Sequence, residues 1–309
     1  MLLHASKSVS ATVLIDNYID HFLLEKTEAI SRPLLSWEKN PVAEHGLSVL
    51  IEVENGEESH TILLDAGLSD LAFMHNIDVL QVDLEKIESI VLSHGHMDHI
   101  GGLVGLLEKL GRPIDLLSHP GAYCQRRLNL PGKGPQKVLP ALDKAALQQA
   151  GAHIVTTKAP ALLCSDLLLT LGEIKRDTAF EQGFPWAEIS QDAAWKVDPF
   201  VDDQAVVANV KDKGLVIISG CAHSGIINTV RYAQEVTGVK EIFAVMGGFH
   251  MTGPLYEPII DQTVSSMKEL APTYIIPMHC TGWKSTHAFA TAMPEQFIMS
   301  SVGTKFIFS

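Results

Sequence analysis

The stretch His94-Gly95-His96-Met97-Asp98-His99 brings three imidazoles and a carboxylate into six consecutive residues. On one side lies the segment from Glu85 to Leu92, in which Ile87, Ile90, Val91 and Leu92 make a short apolar run rich in β-branched residues. On the other, Ile100, Leu103, Val104, Leu106 and Leu107 recur at helical spacing. The cluster therefore falls between a strand and a helix. A chain leaving a strand keeps a period of two, so His94 and His96 point to one side and can face one cation. Asp98 and His99 come next, at the helix entrance, and aim at a neighbouring position. This density of ligands predicts a two-metal site. The bland alternative makes Asp98 a helix cap and the histidines polar loop groups.

Composition limits what such a site can serve. At 309 residues the chain is long, but α/β sandwiches of this size occur as one unit, and one domain over 1–309 is expected. Hydrophobic residues at 46% and a mean hydropathy of +0.16 exclude a disordered chain, and no apolar run approaches the roughly 18 residues that span a bilayer. The start, Met1-Leu2-Leu3-His4-Ala5-Ser6-Lys7, lacks the long apolar segment and cleavage site of a secretory signal, so a cytoplasmic location is expected. Cys124, Cys164, Cys221 and Cys280 form no CxxC pair, which argues against a disulfide framework. With 23 basic and 36 acidic residues the net charge of −13 repels nucleic-acid phosphates. The expected partner is a small molecule, with no nucleic acid and no membrane. Bound cations invert the local field, so that molecule can be anionic.

Ala11–Ile15, Leu47–Val53 and Thr61–Leu64 read as strands, the last running into Asp65-Ala66-Gly67. The segment from Asp16 to His45 is long and irregular. Downstream of the metal motif come a helix, a strand near Ile114 to Leu117, a loop from Lys133 to Pro135 and a helix around Leu139 to Ala150. A long loop excursion over about 172–200 resembles a functional lid. The second half has a strand-to-helix rhythm in which each strand ends in a histidine: Gly220-Cys221-Ala222-His223, Gly247-Gly248-Phe249-His250 and Pro277-Met278-His279-Cys280. Sites of layered α/β proteins gather at the carboxyl ends of strands, so three histidines in equivalent places point to ligation or substrate contact.

These motifs resemble the metallo-β-lactamase fold superfamily, whose members are four-layer αββα sandwiches. Ala43-Glu44-His45-Gly46-Leu47-Ser48, Leu92-Ser93-His94-Gly95-His96, Asp202-Asp203-Gln204-Ala205, Gly220-Cys221-Ala222-His223-Ser224-Gly225, Gly247-Gly248-Phe249-His250 and His279-Cys280-Thr281-Gly282 are similar to the branch that includes dihydropterin-ribofuranosylaminobenzene phosphate synthase and many metal-dependent hydrolases. The resemblance implies His94 and His96 on one metal, Asp98 and His99 on the other, and His279 completing the second. It implies a ligand role for His223, with Cys221 as a further ligand or bridge; the alternative for Cys221 and Cys280 is packing behind the histidines. His250 has no counterpart in the usual metal set and is expected to contact substrate, or else to complete an unusual site.

Two cations a few ångströms apart can hold a hydroxide at neutral pH and stabilise a leaving oxygen, with Asp98 as the catalytic group that orients the nucleophile or carries its proton. Imidazole-rich ligation with one carboxylate suits Zn²⁺, Fe or Mn²⁺ and does not choose between them; zinc is the first expectation. His45 is expected to bind substrate or act as an acid, the alternative being a turn histidine. Asp203 and Gln204 are candidates for orienting a ligand histidine. Lys175 and Arg176 are either contacts for an anionic group or solvated surface. The expected function is hydrolysis of a small ester, lactone or phosphorylated compound. The alternatives are a transferase joining a dihydropterin diphosphate to an arylamine ribosyl phosphate, and a non-catalytic sensor.

Overall fold

The computed structural model describes residues 1–34, 36, 38–56, 58–133 and 137–309. An eight-stranded sheet runs Ile30–Ser31, Lys305–Phe308, Ser8–Ile15, Ser48–Glu54, Ser59–Leu64, Ile87–Val91, Ile114–Ser118, Ala152–Thr156. A second sheet runs Ala161–Leu163, Leu168–Thr170, Ala205–Val210, Gly214–Ser219, Ile242–Gly248, Tyr274–Met278, with Ala5–Ser6 added beside Ala205–Val210. The strands that lead to His94, His250 and His279 are parallel to their neighbours, while Gly214–Ser219, which leads to His223, is parallel to Ile242–Gly248 and antiparallel to Ala205–Val210.

Burial on both faces explains why these strands read as continuous apolar runs rather than alternating ones. Val91 points into the core between the sheets, where it meets residues such as Val206, Val216 and Ile218, while its neighbours Ile90 and Leu92 point outward. Outside the first sheet, Phe73, Leu103, Leu106, Leu107 and Leu147 cover the outward set from the helices Asp70–Val79, Leu103–Leu110 and Lys144–Gln149. On the second sheet, Val207 and Ile217 face Ile227, Val230, Val264 and Phe289 of the helices Ile226–Thr237, Ile260–Leu270 and Trp283–Ala292. Three apolar layers thus separate four structural ones, the expected αββα order.

The structure departs from the sequence reading in several places. The excursion is not a bare loop: Ala187–Gln191 and Ala194–Val197 form a hairpin that pairs with Arg126–Leu128 in a third, small sheet. Its turn residues Asp192 and Ala193 both have positive φ, 53° and 60°. That is the conformation two-residue hairpins favour, but without the usual Asn-Gly signature. The helix expected around Leu139 to Ala150 is only Lys144–Gln149, because Asp143 caps it by accepting from the backbone N–H groups of Ala145 and Ala146. The strand Lys305–Phe308 was not anticipated. Of the loop expected over 133–135, residues 134 and 135 lie outside the described residues. Among the described residues no helix is long and apolar enough to cross a membrane.

Candidate metal centre

His94, His223, His250 and His279 all stand just past the carboxyl ends of parallel strands, and the ends of the two sheets meet there. A first cluster joins His94 Nε2 to His96 Nδ1 at 3.0 Å, with His223 Nε2 at 3.2 and 3.1 Å from them. Each inward nitrogen carries either a proton or a lone pair, so at most two of the three edges of this triangle can be hydrogen bonds. A cation at its centre resolves the conflict. Donors around a tetrahedral ion with bonds of about 2.0–2.1 Å stand about 3.3–3.4 Å apart, close to what is found. Burial, followed by the neighbouring imidazoles, holds His94 and His223 well below the ordinary histidine range. Burial and then Arg126 push His96 down to about 3. All three are therefore neutral, the form that ligates.

A second cluster holds donor atoms of Asp98, His99, Cys221 and His279 within 4.8 Å of one another. Asp98 Oδ2 lies 3.3 Å from His279 Nε2 and 3.9 Å from His99 Nε2, and His99 Nε2 is 3.1 Å from Cys221 Sγ. Among the described residues the buried His279 Nε2 makes no hydrogen bond, while Asn17 Oδ1 accepts from its Nδ1 at 2.9 Å. His99 is turned the same way by Asp65 Oδ2, 2.6 Å from its Nδ1. In both rings the outer contact fixes Nδ1 as donor and aims the Nε2 lone pair into the cluster, the arrangement of metal-binding histidines. Burial alone would raise the Asp98 carboxyl, but His99 and His279 outweigh it and hold it well below the usual range. For His99 burial is likewise opposed, and Asp65 and Asp98 push the imidazole up to about 9.

Cys221 belongs to both clusters, because its sulfur also falls within 4.8 Å of the His94 and His223 donors. Cys280, whose sulfur touches that of Cys221 at 3.2 Å, sits behind it beside His250. Both sulfurs thus lie among candidate donors, Cys221 with each cluster and Cys280 with Cys221 and His250. Asp98 does not act as a cap; the helix Met97–Ile100 starts at His96 with no capping side chain.

The loops are held from behind. Gly95 N donates to Asp202 Oδ2 at 3.0 Å, and Arg126 bridges Asp202 and Asp198 at 2.7 and 2.8 Å, all three side chains being buried. A Cβ on Gly95 would lie 2.0 Å from the Ala122 carbonyl oxygen, so only glycine fits between the two histidines. Phe200 stacks on His223 with ring centroids 4.4 Å apart and an interplanar angle of 13°. Asp65, Phe200, Ala222, His250 and His279 all adopt positive φ, between 44° and 58°. Each such conformation costs on the order of 1–3 kcal/mol, and their concentration here marks a functional locus.

His45 lies at the rim of the second cluster, its side chain 62% exposed, with Nε2 3.5 Å from Asp98 Oδ2. His250 flanks the first, its ring 4.2 Å from that of His223 and its buried Nδ1 without a hydrogen bond among the described residues. Phe184 and Tyr256 pack around it. Asp203 and Gln204 bond to backbone rather than to a ligand imidazole: Asp203 Oδ2 accepts from Ser224 N, Gln204 Oε1 accepts from Gly172 N, and Gln204 Nε2 donates to Leu92 O. Lys175 pairs with Asp177 and Glu235 on the surface and Arg176 donates to Pro199 O, which favours the solvated reading. Sequence reasoning gave no orienting role to Asp65, although it ends a strand as the histidines do. It missed Asn17, Arg126 and Phe200, which carry no local signal.

A layered αββα frame with adjacent imidazole-rich clusters at the sheet ends defines a metal-dependent enzyme class. Residues 42–125 match the family model described as the metallo-β-lactamase superfamily. The chain is 30% identical over 285 residues, 92% of its length and 94% of the relative's, to 7,8-dihydropterin-6-methyl-4-(beta-D-ribofuranosyl)-aminobenzene-5'-phosphate synthase of Methanocaldococcus jannaschii. An uncharacterised protein of the same organism is 30% identical over 79% of the chain and 86% of its own length. A solved structure described as Tm1679, a metal-dependent hydrolase of the β-lactamase superfamily, superposes with a TM-score of 0.74 at 23% identity, covering 96% of this chain and 98% of that one. The chain belongs to the metallo-β-lactamase superfamily, in the branch that includes the dihydropterin-ribofuranosylaminobenzene phosphate synthase.

Proposed function

We propose that the protein is an enzyme with two divalent cations, zinc first, that hydrolyses a small ester, lactone or phosphorylated compound. The observation that carries this reading is the position of Cys221, within reach of His94 and His223 on one side and of Asp98, His99 and His279 on the other. Bound there, a pair of cations would supply Lewis acidity and lower the pKa of a water.

The chain's own groups divide the remaining work. Asp98 Oδ2, ionised and held between His99 and His279, receives or orients a proton at the reacting centre. His45 Nε2, open to solvent beside Asp98, hands a proton to a leaving oxygen. His250, with Phe184 and Tyr256 around it, holds the body of the substrate. Elemental analysis of purified protein, followed by turnover on a panel of esters, lactones and phosphate mono- and diesters, tests the reading. Fewer than two ions per chain, or no turnover of any class by loaded protein, would refute it.

The likeness to the synthase along nearly the whole of both chains favours a second reading. Here the same centre would join a dihydropterin diphosphate to an arylamine ribosyl phosphate, with cations neutralising the departing diphosphate. Incubation with both compounds decides between the two, since only the transfer releases pyrophosphate in step with a coupled product.

A further inference from the structure

His60, Glu88 and Cys164 place one donor atom each within 4.8 Å of one another, away from the centre described above. His60 lies near the start of the strand Ser59–Leu64 and Glu88 near the start of Ile87–Val91, whereas Asp65 and His94 follow the other ends of those strands. At about 3.3 Å per residue the two places are separated by some 15 Å or more. Cys164 comes from the second sheet, in the turn between Ala161–Leu163 and Leu168–Thr170.

We propose that His60, Glu88 and Cys164 form a second cation site of the zinc class, which ties the two sheets together at the end opposite the active centre. One imidazole, one carboxylate and one thiolate make a borderline-soft set that suits Zn²⁺, with water as a fourth ligand. Donors on such an ion stand about 3.3–3.7 Å apart, so ligation needs side-chain movements of about an ångström. His60 Nδ1 already faces Glu88 Oε2 at 2.8 Å, and Glu58 Oε2 stands 3.4 Å from the other ring nitrogen. Glu58 thereby supplies the carboxylate that a ligating histidine usually has on its far side. Its carboxylate also accepts from Ser165, the residue after Cys164, so the two sheets already meet here.

A competing account makes His60 an imidazolium shared by Glu88 and Glu58. That explains the carboxylates but gives the thiol no part. Without an ion, burial and then Glu88 push the Cys164 thiol up to about 12, so it is protonated at neutral pH and binding releases that proton to solvent.

The test is site-resolved alkylation. Full-length protein is stripped of metal, divided, and treated with iodoacetamide with and without added Zn²⁺, and labelling of the Cys164 peptide is followed by mass spectrometry. Zinc is expected to slow labelling at least tenfold in the natural protein and to give no protection in His60→Gln or Glu88→Gln. Native mass spectrometry is expected to find one ion fewer in Cys164→Ser than in the natural protein. Equal labelling with and without zinc, equal protection in the variants, or an unchanged ion count in Cys164→Ser would overturn the proposal. Both glutamine variants keep side-chain volume, and their circular dichroism separates lost binding from lost fold.

Discussion

Asp65→Asn separates ligand orientation from ligand identity at the second cluster. Asp65 is fully buried; its Oδ1 accepts from Ser93 N at 2.8 Å, and its Oδ2 meets Ser93 Oγ and His99 Nδ1, each at 2.6 Å. An asparagine that keeps Oδ1 on Ser93 N presents an NH₂ group to the other two. The serine hydroxyl can rotate to accept it. The imidazole can accept it only by moving its proton to Nε2, the nitrogen that faces Asp98 and Cys221. The variant therefore sets the wrong tautomer for ligation, and loss of such an outer partner weakens metal binding by about 10–100-fold, or about 1.4–2.7 kcal/mol. Zinc titration of stripped protein against a chromophoric chelator, with both proteins carrying Cys164→Ser to remove the site proposed above, reads the two clusters as separate classes. The class assigned to Asp98, His99 and His279 should weaken by that factor, while the class of His94, His96 and His223 stays within about threefold. If both affinities match those of the natural protein while far-ultraviolet dichroism is intact, the orienting role of Asp65 is wrong.

Gly95→Ala should abolish metal binding at the first cluster, because the new methyl would lie 2.0 Å from a backbone oxygen that cannot yield; retention of full zinc content would contradict this. In stripped protein the folded pKa of His99, about 9, exceeds its ordinary value of 6.5. Its contribution to stability is thus complete below pH 6.5 and lost as pH rises through 9. Metal must displace that proton, so zinc affinity at the second cluster should climb by up to tenfold per pH unit toward pH 9, measured in Cys221→Ser so that the thiol adds nothing; a flat profile would refute the assignment. Phe200→Leu removes the stack on His223 and should cost stripped protein about 1 kcal/mol in urea unfolding, with no loss if the stack is idle.

Features coded within a few residues were legible in the sequence. The spacing of His94, His96, Asp98 and His99, the strand before them and the strand-end positions of His223, His250 and His279 all rest on local periods, which tertiary structure preserved. What stayed hidden depends on distant segments meeting. Cys221 acquires its shared position only because the ends of two sheets converge. Arg126 reaches Asp198 and Asp202 through the small sheet that the excursion completes. The hairpin itself escaped notice because Asp192 and Ala193 adopt a left-handed turn that their side chains do not advertise.

Charge divides the centre more sharply than ligand type does. The first cluster contributes no carboxylate; the Arg126 guanidinium behind it helps keep His96 neutral but is itself paired with Asp198 and Asp202. The second contains Asp98, ionised under all ordinary conditions, with His45 open to solvent beside it. On the function proposed above, an anionic group of a substrate would meet no ligand carboxylate over the first cluster, toward His250, and would be repelled by Asp98 on the other side. Proton traffic falls on the opposite half, where a carboxylate and an exposed imidazole stand 3.5 Å apart. On this division His250→Ala should weaken substrate binding with metal content unchanged, whereas His45→Ala should lower turnover with binding largely intact. An equal effect of both substitutions on KM and kcat would mean that the two halves do not act separately.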